Sequence, residues 1–218
     1  MKTGVIIRSY RLTEYLSRVV RNYAWVDKIV IANYCFNRYE EHKDDTKDII
    51  GGLGYNNIIY MGGGEPIAQS RVFELAQAKL LDCDVIFISD ADEFLLPSDQ
   101  ARCIEILMGN DSLKKIECMV VDYSKKDATE AFAQRTHLPV VAFKPPVNFV
   151  GNRWCEGESV HLRDMFMHHF GYALDDYDWK LRNLWYSRHD ADKITCTMKR
   201  KMNPPDALTH ALTVSPAQ

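Results

Sequence analysis

Residues 84–94 read Asp-Val-Ile-Phe-Ile-Ser-Asp-Ala-Asp-Glu-Phe, and this stretch decides the fold. A nearly unbroken apolar run of this length is the pattern of a central strand buried on both faces of a parallel sheet. It delivers the chain directly into two acids, Asp90 and Asp92. In open α/β sheets ligands bind beyond the carboxyl ends of the strands, so both acids stand at the edge of the expected crevice. In extended chain, residues two apart project to the same side, which predicts that Asp90 and Asp92 face one point while Ala91 faces away. A hard divalent cation such as Mg²⁺ or Mn²⁺ accepts one or two carboxylates and completes its shell with water and phosphate oxygens. The return to apolar character at Glu93-Phe94-Leu95 is unlike a solvated loop.

Upstream of this strand, short apolar runs alternate with amphipathic segments, the pattern of an α/β fold with a mainly parallel sheet. Strands are predicted at 4–8, 28–33 and 57–61, with Gly62–Gly64 breaking the chain after the third. Thr13 is placed to cap a helix running to Tyr23, since Tyr15, Leu16, Val19, Val20 and Tyr23 recur at helical spacing. A second helix is predicted over 67–81. Downstream, Pro97 and Ser98 start a helix that Gly109 ends, with Ser98 as the candidate cap. Beyond residue 115 the regularity decays: strands are predicted at 116–123, 140–143 and 165–168, separated by long loops. Asp175 or Asp176 opens an amphipathic helix carrying Trp179, Leu181, Leu184, Trp185 and Arg188. The expected organisation is one domain over 1–198, with halves 1–97 and 98–198, and a flexible tail over 199–218.

Composition narrows the function. The chain has 218 residues, 46% hydrophobic and 26% charged, as in a globular protein with an ordinary core. A formal net charge of -3 gives no global field for a polyanion, which argues against nucleic acid as partner. The six cysteines form no C-x-x-C pair and read as reduced thiols. No apolar stretch suits a signal peptide or a membrane span, so a cytoplasmic protein without an integral membrane segment is expected.

With these residues in hand, the chain resembles the GT-A fold glycosyltransferases, in particular glycosyltransferase family 2. Their D-x-D segment often reads as an apolar strand followed by D-A-D-E-F, as Asp90 to Phe94 do here. The resemblance covers residues 4–185 and is closest over 4–97. It implies a single GT-A-like domain, a mixed, mainly parallel sheet flanked by helices. The implied activity is a metal-dependent transfer of a sugar from a nucleotide-sugar donor to a hydroxyl acceptor. By the same resemblance, Asp92 would ligate the metal directly and Asp90 would support nucleotide and metal. The family's nucleotide-holding positions match Arg8 and Ser9 at the end of strand one, Asn33 at the end of strand two, and Gln69 and Arg71 on the helix before the D-x-D strand. Arg71 is the stronger phosphate candidate, since a guanidinium can fork onto phosphate or pair with a motif aspartate; Arg8 stands where the family has a small or Pro-containing turn.

The run Met165-Phe166-Met167-His168-His169 resembles the family's late strand, where a histidine completes the metal shell. Adjacent strand residues point to opposite faces, so only one of the two histidines can reach an ion. His169, which precedes Phe170, is chosen over His168, and an imidazole ligand favours Mn²⁺ over Mg²⁺. An inverting transferase needs a general base beside the acceptor hydroxyl, for which Glu156 and Glu158 are the candidates. Trp154 is placed to stack on a sugar ring or to pack in the loop; Trp179, Lys180 and Asn183 would pack and brace the site. Three competing readings stay open. A haloacid dehalogenase-type phosphatase also uses D-x-D after an apolar strand, but after its first. A sugar nucleotidyltransferase wants a Gly-rich basic loop after strand one, where this chain has Arg-Ser-Tyr-Arg-Leu. A catalytically inactive relative would bind nucleotide or glycan only.

Overall fold

The computed structural model describes residues 1–9, 13–34, 44–63, 67–123, 131–134 and 138–171. The expected helix from Asp175 or Asp176, with Trp179, Lys180 and Asn183, and the tail from 199 lie outside the described residues.

The first half follows the expected alternation. Strands β1 (Thr3–Arg8), β2 (Lys28–Tyr34), β3 (Ile58–Gly63) and β4 (Val85–Asp90) are joined through helices α1 (Leu16–Asn22), α2 (Thr46–Leu53) and α3 (Gln69–Gln77). They lie parallel in the order β3-β2-β1-β4, with Arg8 beside Asp90 in the register. Along β1, Val5 and Ile7 join one buried cluster, with Leu16, Val19 and Val20 of α1, while Ile6 joins another, with Val72, Phe73 and Ala76 of α3. A strand covered on both faces has no polar side to show, which is why these segments read as apolar runs.

After β4 come a short β5 (Glu93–Leu95), helix α4 (Pro97–Met108), β6 (Lys115–Tyr123), β7 (Ala131–Gln134), β8 (Val140–Phe143), the hairpin strands β9 (Phe149–Gly151) and β10 (Trp154–Cys155), and β11 (Ser159–His169). The main sheet runs β3-β2-β1-β4-β8-β6-β11-β5, with β7 paired to β6. Here the pairing is mixed: β8 is antiparallel to β4 and β6, β11 parallel to β6, and β5 antiparallel to β11. One mixed sheet flanked by helices therefore holds both halves in a single domain of the GT-A-like, Rossmann type.

Two helix starts differ from expectation. Thr13 does not cap α1, whose N-cap is Tyr15; its hydroxyl donates to Asp45 Oδ1 at 2.6 Å. Leu96, not Ser98, precedes α4, and Pro97 sets the first helical turn without a donor to satisfy. The predicted strand at 165–168 is the end of the longer β11, whose pairing with β6 is interrupted between Leu162 and Phe166. Among the described residues Cys83, Cys103, Cys118 and Cys155 are free and buried. Burial raises their thiols, Cys155 to about 11, which keeps them protonated. No helix among the described residues is long and apolar enough to cross a membrane.

Candidate functional site

The acids after β4 do not continue as an extended strand. Residues 91 and 92 form a turn that folds the chain back into β5. The two-residue alternation behind the expected convergence of Asp90 and Asp92 therefore does not apply, and the structure gives the two carboxylates different partners.

Asp90 belongs to Arg8. The Arg8 guanidinium donates from Nε to Oδ1 at 2.6 Å and from Nη2 to Oδ2 at 2.7 Å, a bidentate fork between neighbouring residues of β1 and β4. Arg8 is buried, lies 4.7 Å from the centre of the Phe73 ring and donates to Asn152 Oδ1. Arg153, on the turn of the β9–β10 hairpin, reaches into the same place. Its Nη1 donates to Glu93 Oε2 and lies 3.8 Å from Asp90 Oδ2, while Nη2 donates to the Ile88 carbonyl. Glu93 Oε2 also accepts the Asp90 backbone N–H at 2.8 Å. Burial pushes the Glu93 carboxyl up, against the pull of the Arg153 guanidinium. Arg153 holds a left-handed φ of 54°, a conformation costing a non-glycine residue about 1 kcal/mol or more, which persists only where the surroundings dictate it. In this arrangement both Asp90 oxygens hold Arg8.

Asp92 instead faces His169. It is buried, its carbonyl accepts the Phe170 N–H at 2.8 Å, and its Oδ2 lies 3.6 Å from His169 Nε2. The other ring nitrogen, Nδ1, is hydrogen-bonded to Asp122 Oδ1 on β6, directly across the β6–β11 pairing. His168 turns to the opposite face, as strand alternation requires, and its Nδ1 is 2.8 Å from the Tyr123 hydroxyl. Burial lowers the His168 imidazole to about 4 from its usual 6.5. Between those values the unfolded chain binds a proton that the folded one refuses. Folding stability is therefore expected to fall as pH drops from about 6.5 to about 4, by roughly 3 kcal/mol for this group. Urea denaturation across that range, on wild type and His168→Phe, checks the loss.

The remaining candidates sit as follows. Ser9 donates to Asn33 Oδ1 at 2.7 Å, and the Asn33 amide donates to Asp44 at 2.8 Å and to the Tyr60 hydroxyl at 3.1 Å, a closed cluster at the carboxyl ends of β1, β2 and β3. Gln69 opens α3, half-buried. Arg71 is exposed and paired with Glu74 one turn along the helix, and no contact joins it to either aspartate of the motif. The role expected of Arg71 in pairing a motif aspartate is filled by Arg8.

Glu156 and Glu158 stand away from the facing pair of Asp92 and His169. The Glu158 carbonyl accepts the Lys114 N–H, just before the start of β6, whereas Asp122 and His169 lie at that strand's other end. From Lys114 to Asp122 the strand climbs roughly 26 Å at about 3.3 Å per residue. Glu156 pairs with Asn148 beside the hairpin. Neither carboxylate can act beside Asp92, because β6 and β11 run parallel and the start of β11 is the wrong end. Trp154 is exposed, with Lys115 Nζ 5.5 Å from its ring centre, toward that same far end.

Three functional neighbours of the motif escape a reading of the sequence: Arg153, Glu93 and Asp122. Asp122 alone carries a signal, a carboxylate inside the apolar strand Val120-Val121-Asp122-Tyr123, where charge is rarely buried without a partner.

Among the described residues no group of three or more His, Cys, Asp and Glu side chains is arranged to hold a metal unaided. The facing pair Asp92 and His169 offers one carboxylate and one imidazole. That donor set fits Mg²⁺ or Mn²⁺ completed by water and substrate phosphate, and does not fit an all-protein cage.

No family model matches the chain, and no curated protein matches it in sequence. Solved structures resemble it to different degrees. The mannosyltransferase PcManGT from Pyrobaculum calidifontis, in complex with GDP-Man and Mn²⁺, aligns with 97% of this chain and 68% of its own, at a TM-score of 0.53 and 12% identity. Residues 1–349 of TarS from S. aureus align with 97% of this chain and 69% of theirs, at a TM-score of 0.47 and 11% identity. A cytidylyltransferase from Leptospira borgpetersenii aligns with 66% of this chain and 60% of its own, at a TM-score of 0.41 and 15% identity.

Proposed function

We propose that this chain is a metal-dependent glycosyltransferase that moves a sugar from a nucleotide-diphosphate-sugar donor to a hydroxyl acceptor. The observation that carries the reading is the pairing of Asp92 Oδ2 with His169 Nε2, 3.6 Å apart, at the carboxyl ends of the parallel strands. Support also comes from the shared fold with a mannosyltransferase complexed with GDP-Man and Mn²⁺. Asp92 and His169 would hold Mn²⁺, or Mg²⁺ in its place. A divalent cation bound there supplies neutralisation of the charge that builds on a departing diphosphate. Arg8 and Asp90 hold each other in a buried, charge-paired fork, so this side of the crevice would not reorganise during reaction. The Ser9–Asn33–Asp44 cluster, with Gln69 at the head of α3, is the polar floor on which the nucleoside end of a donor would rest. The distance of Glu156 and Glu158 from Asp92 and His169 weighs against either as the base of an inverting course. Glu156→Gln and Glu158→Gln are expected to leave turnover unchanged in the assay below.

The test is incubation of the full chain with a panel of nucleotide sugars, with Mn²⁺ or with chelator. Release of nucleoside diphosphate that requires the metal is expected for at least one donor. Pyrophosphate formed from a nucleoside triphosphate and a sugar phosphate would mark a nucleotidyltransferase instead. Nucleotide binding with no turnover on any donor would mark an inactive relative.

A further inference from the structure

Asp122 is fully buried in β6, among Val120, Val121 and Tyr123. A carboxylate in such a place is costly unless its oxygens are satisfied. Oδ1 holds His169 Nδ1, but Oδ2 has no hydrogen-bond partner among the described residues. The carboxylate's one hydrogen-bond partner among the described residues is the His169 ring, so whatever it contributes acts through that ring. What it contributes is the orientation and protonation pattern of the ring opposite. A carboxylate oxygen against Nδ1 requires the proton to sit on Nδ1, which leaves the lone pair on Nε2, the nitrogen that faces Asp92. With the proton on Nε2 instead, an N–H would point at Asp92 and two electron-rich atoms would confront each other at Asp122.

We propose that Asp122 is a positioning residue, locking His169 in the Nδ1–H form with its Nε2 lone pair aimed at the place a divalent cation would share with Asp92. The inference rests on the metal reading given above. It adds a residue that never touches the ion or the donor, and acts wholly through His169. Carboxylate partners of metal-bound histidines fix the ring's orientation and raise its basicity, and their loss typically costs about 10–100-fold in metal affinity.

Two measurements on the full chain test it. The first needs no variant and no metal: a two-bond ¹H–¹⁵N correlation spectrum at pH 7.5, with the His169 ring assigned through His169→Gln. The Nδ1–H form is expected. An Nε2–H ring, or one protonated on both nitrogens as a simple cross-link between two aspartates would be, overturns the inference. The second is Mn²⁺ affinity, followed by electron paramagnetic resonance with the metal alone and with inorganic pyrophosphate. Asp122→Leu and Asp122→Asn are each expected to weaken Mn²⁺ binding about 10–100-fold, with thermal denaturation checking that each variant is folded at the temperature of the titration. Unchanged Mn²⁺ affinity in both variants overturns the inference and leaves the metal reading standing. Wild-type protein that binds no Mn²⁺ in either condition sinks the metal reading itself, and the role of Asp122 with it.

Discussion

Asp92→Ala is expected to lower metal-dependent release of nucleoside diphosphate at least ~100-fold, the scale lost when one strong electrostatic stabiliser of a transition state is removed. The side chain is buried and its backbone is fastened independently, through the Phe170 N–H on its carbonyl. The substitution thus takes away the carboxylate without freeing the turn. Thermal denaturation of the variant separates loss of the carboxylate's chemistry from loss of fold. Asp90→Ala should behave differently. It strips the buried Arg8 guanidinium of its bidentate carboxylate, so it should cost stability as well as rate. A rate loss confined to Asp90 and absent at Asp92 would reverse the roles assigned to the two acids.

The largest effect on stability is expected at Glu93. Glu93→Ala removes the carboxylate that meets Arg153 and the Asp90 N–H, leaving the buried guanidinium with only the longer, 3.8 Å ion pair to Asp90 Oδ2. Breaking one partner of a buried pair costs about 3–5 kcal/mol, a large share of what a domain of this size has to lose. Replacing both partners with apolar residues of similar size removes the uncompensated charge, so Glu93→Leu with Arg153→Met should recover most of the loss. Urea denaturation of the two single variants and the double variant reads the coupling directly. Additive losses would mean that the pair is not energetically joined and that the left-handed Arg153 owes its conformation to something else.

The contrast between the halves shows what a sequence can carry. Strands β1, β2 and β4 read clearly because each is buried on both faces, and the half-buried edge strand β3 reads by its apolar run Ile58–Met61; the order is a simple succession of parallel crossovers. Strand β11 reads only at its end, because His161, Arg163 and Asp164 and the irregular register between Leu162 and Phe166 break the period-two pattern. Strand β5 is too short to register as anything but a return to apolar character. Within the site, alternation puts His168 and His169 on opposite faces, as observed, but misleads at Asp90 and Asp92, where residues 91 and 92 turn. Arg153 and Glu93 are far apart in the chain and meet only because the β9–β10 hairpin packs on α3, with Phe149 stacked against Phe73 at 4.8 Å. Glu156 and Glu158 look close to the histidines in sequence. The direction of β11, invisible in composition or spacing, places them at the opposite end of the sheet.

The central claim is that one divalent cation rests between Asp92 and His169. Diffraction at the manganese edge from crystals soaked in Mn²⁺ with a nucleoside diphosphate addresses it most directly. An anomalous peak in contact with both Asp92 Oδ2 and His169 Nε2, with Arg8 still forked onto Asp90, is the predicted result. A peak on Asp90 with Arg8 displaced, or no peak at this end of the sheet while nucleotide is bound, would contradict it.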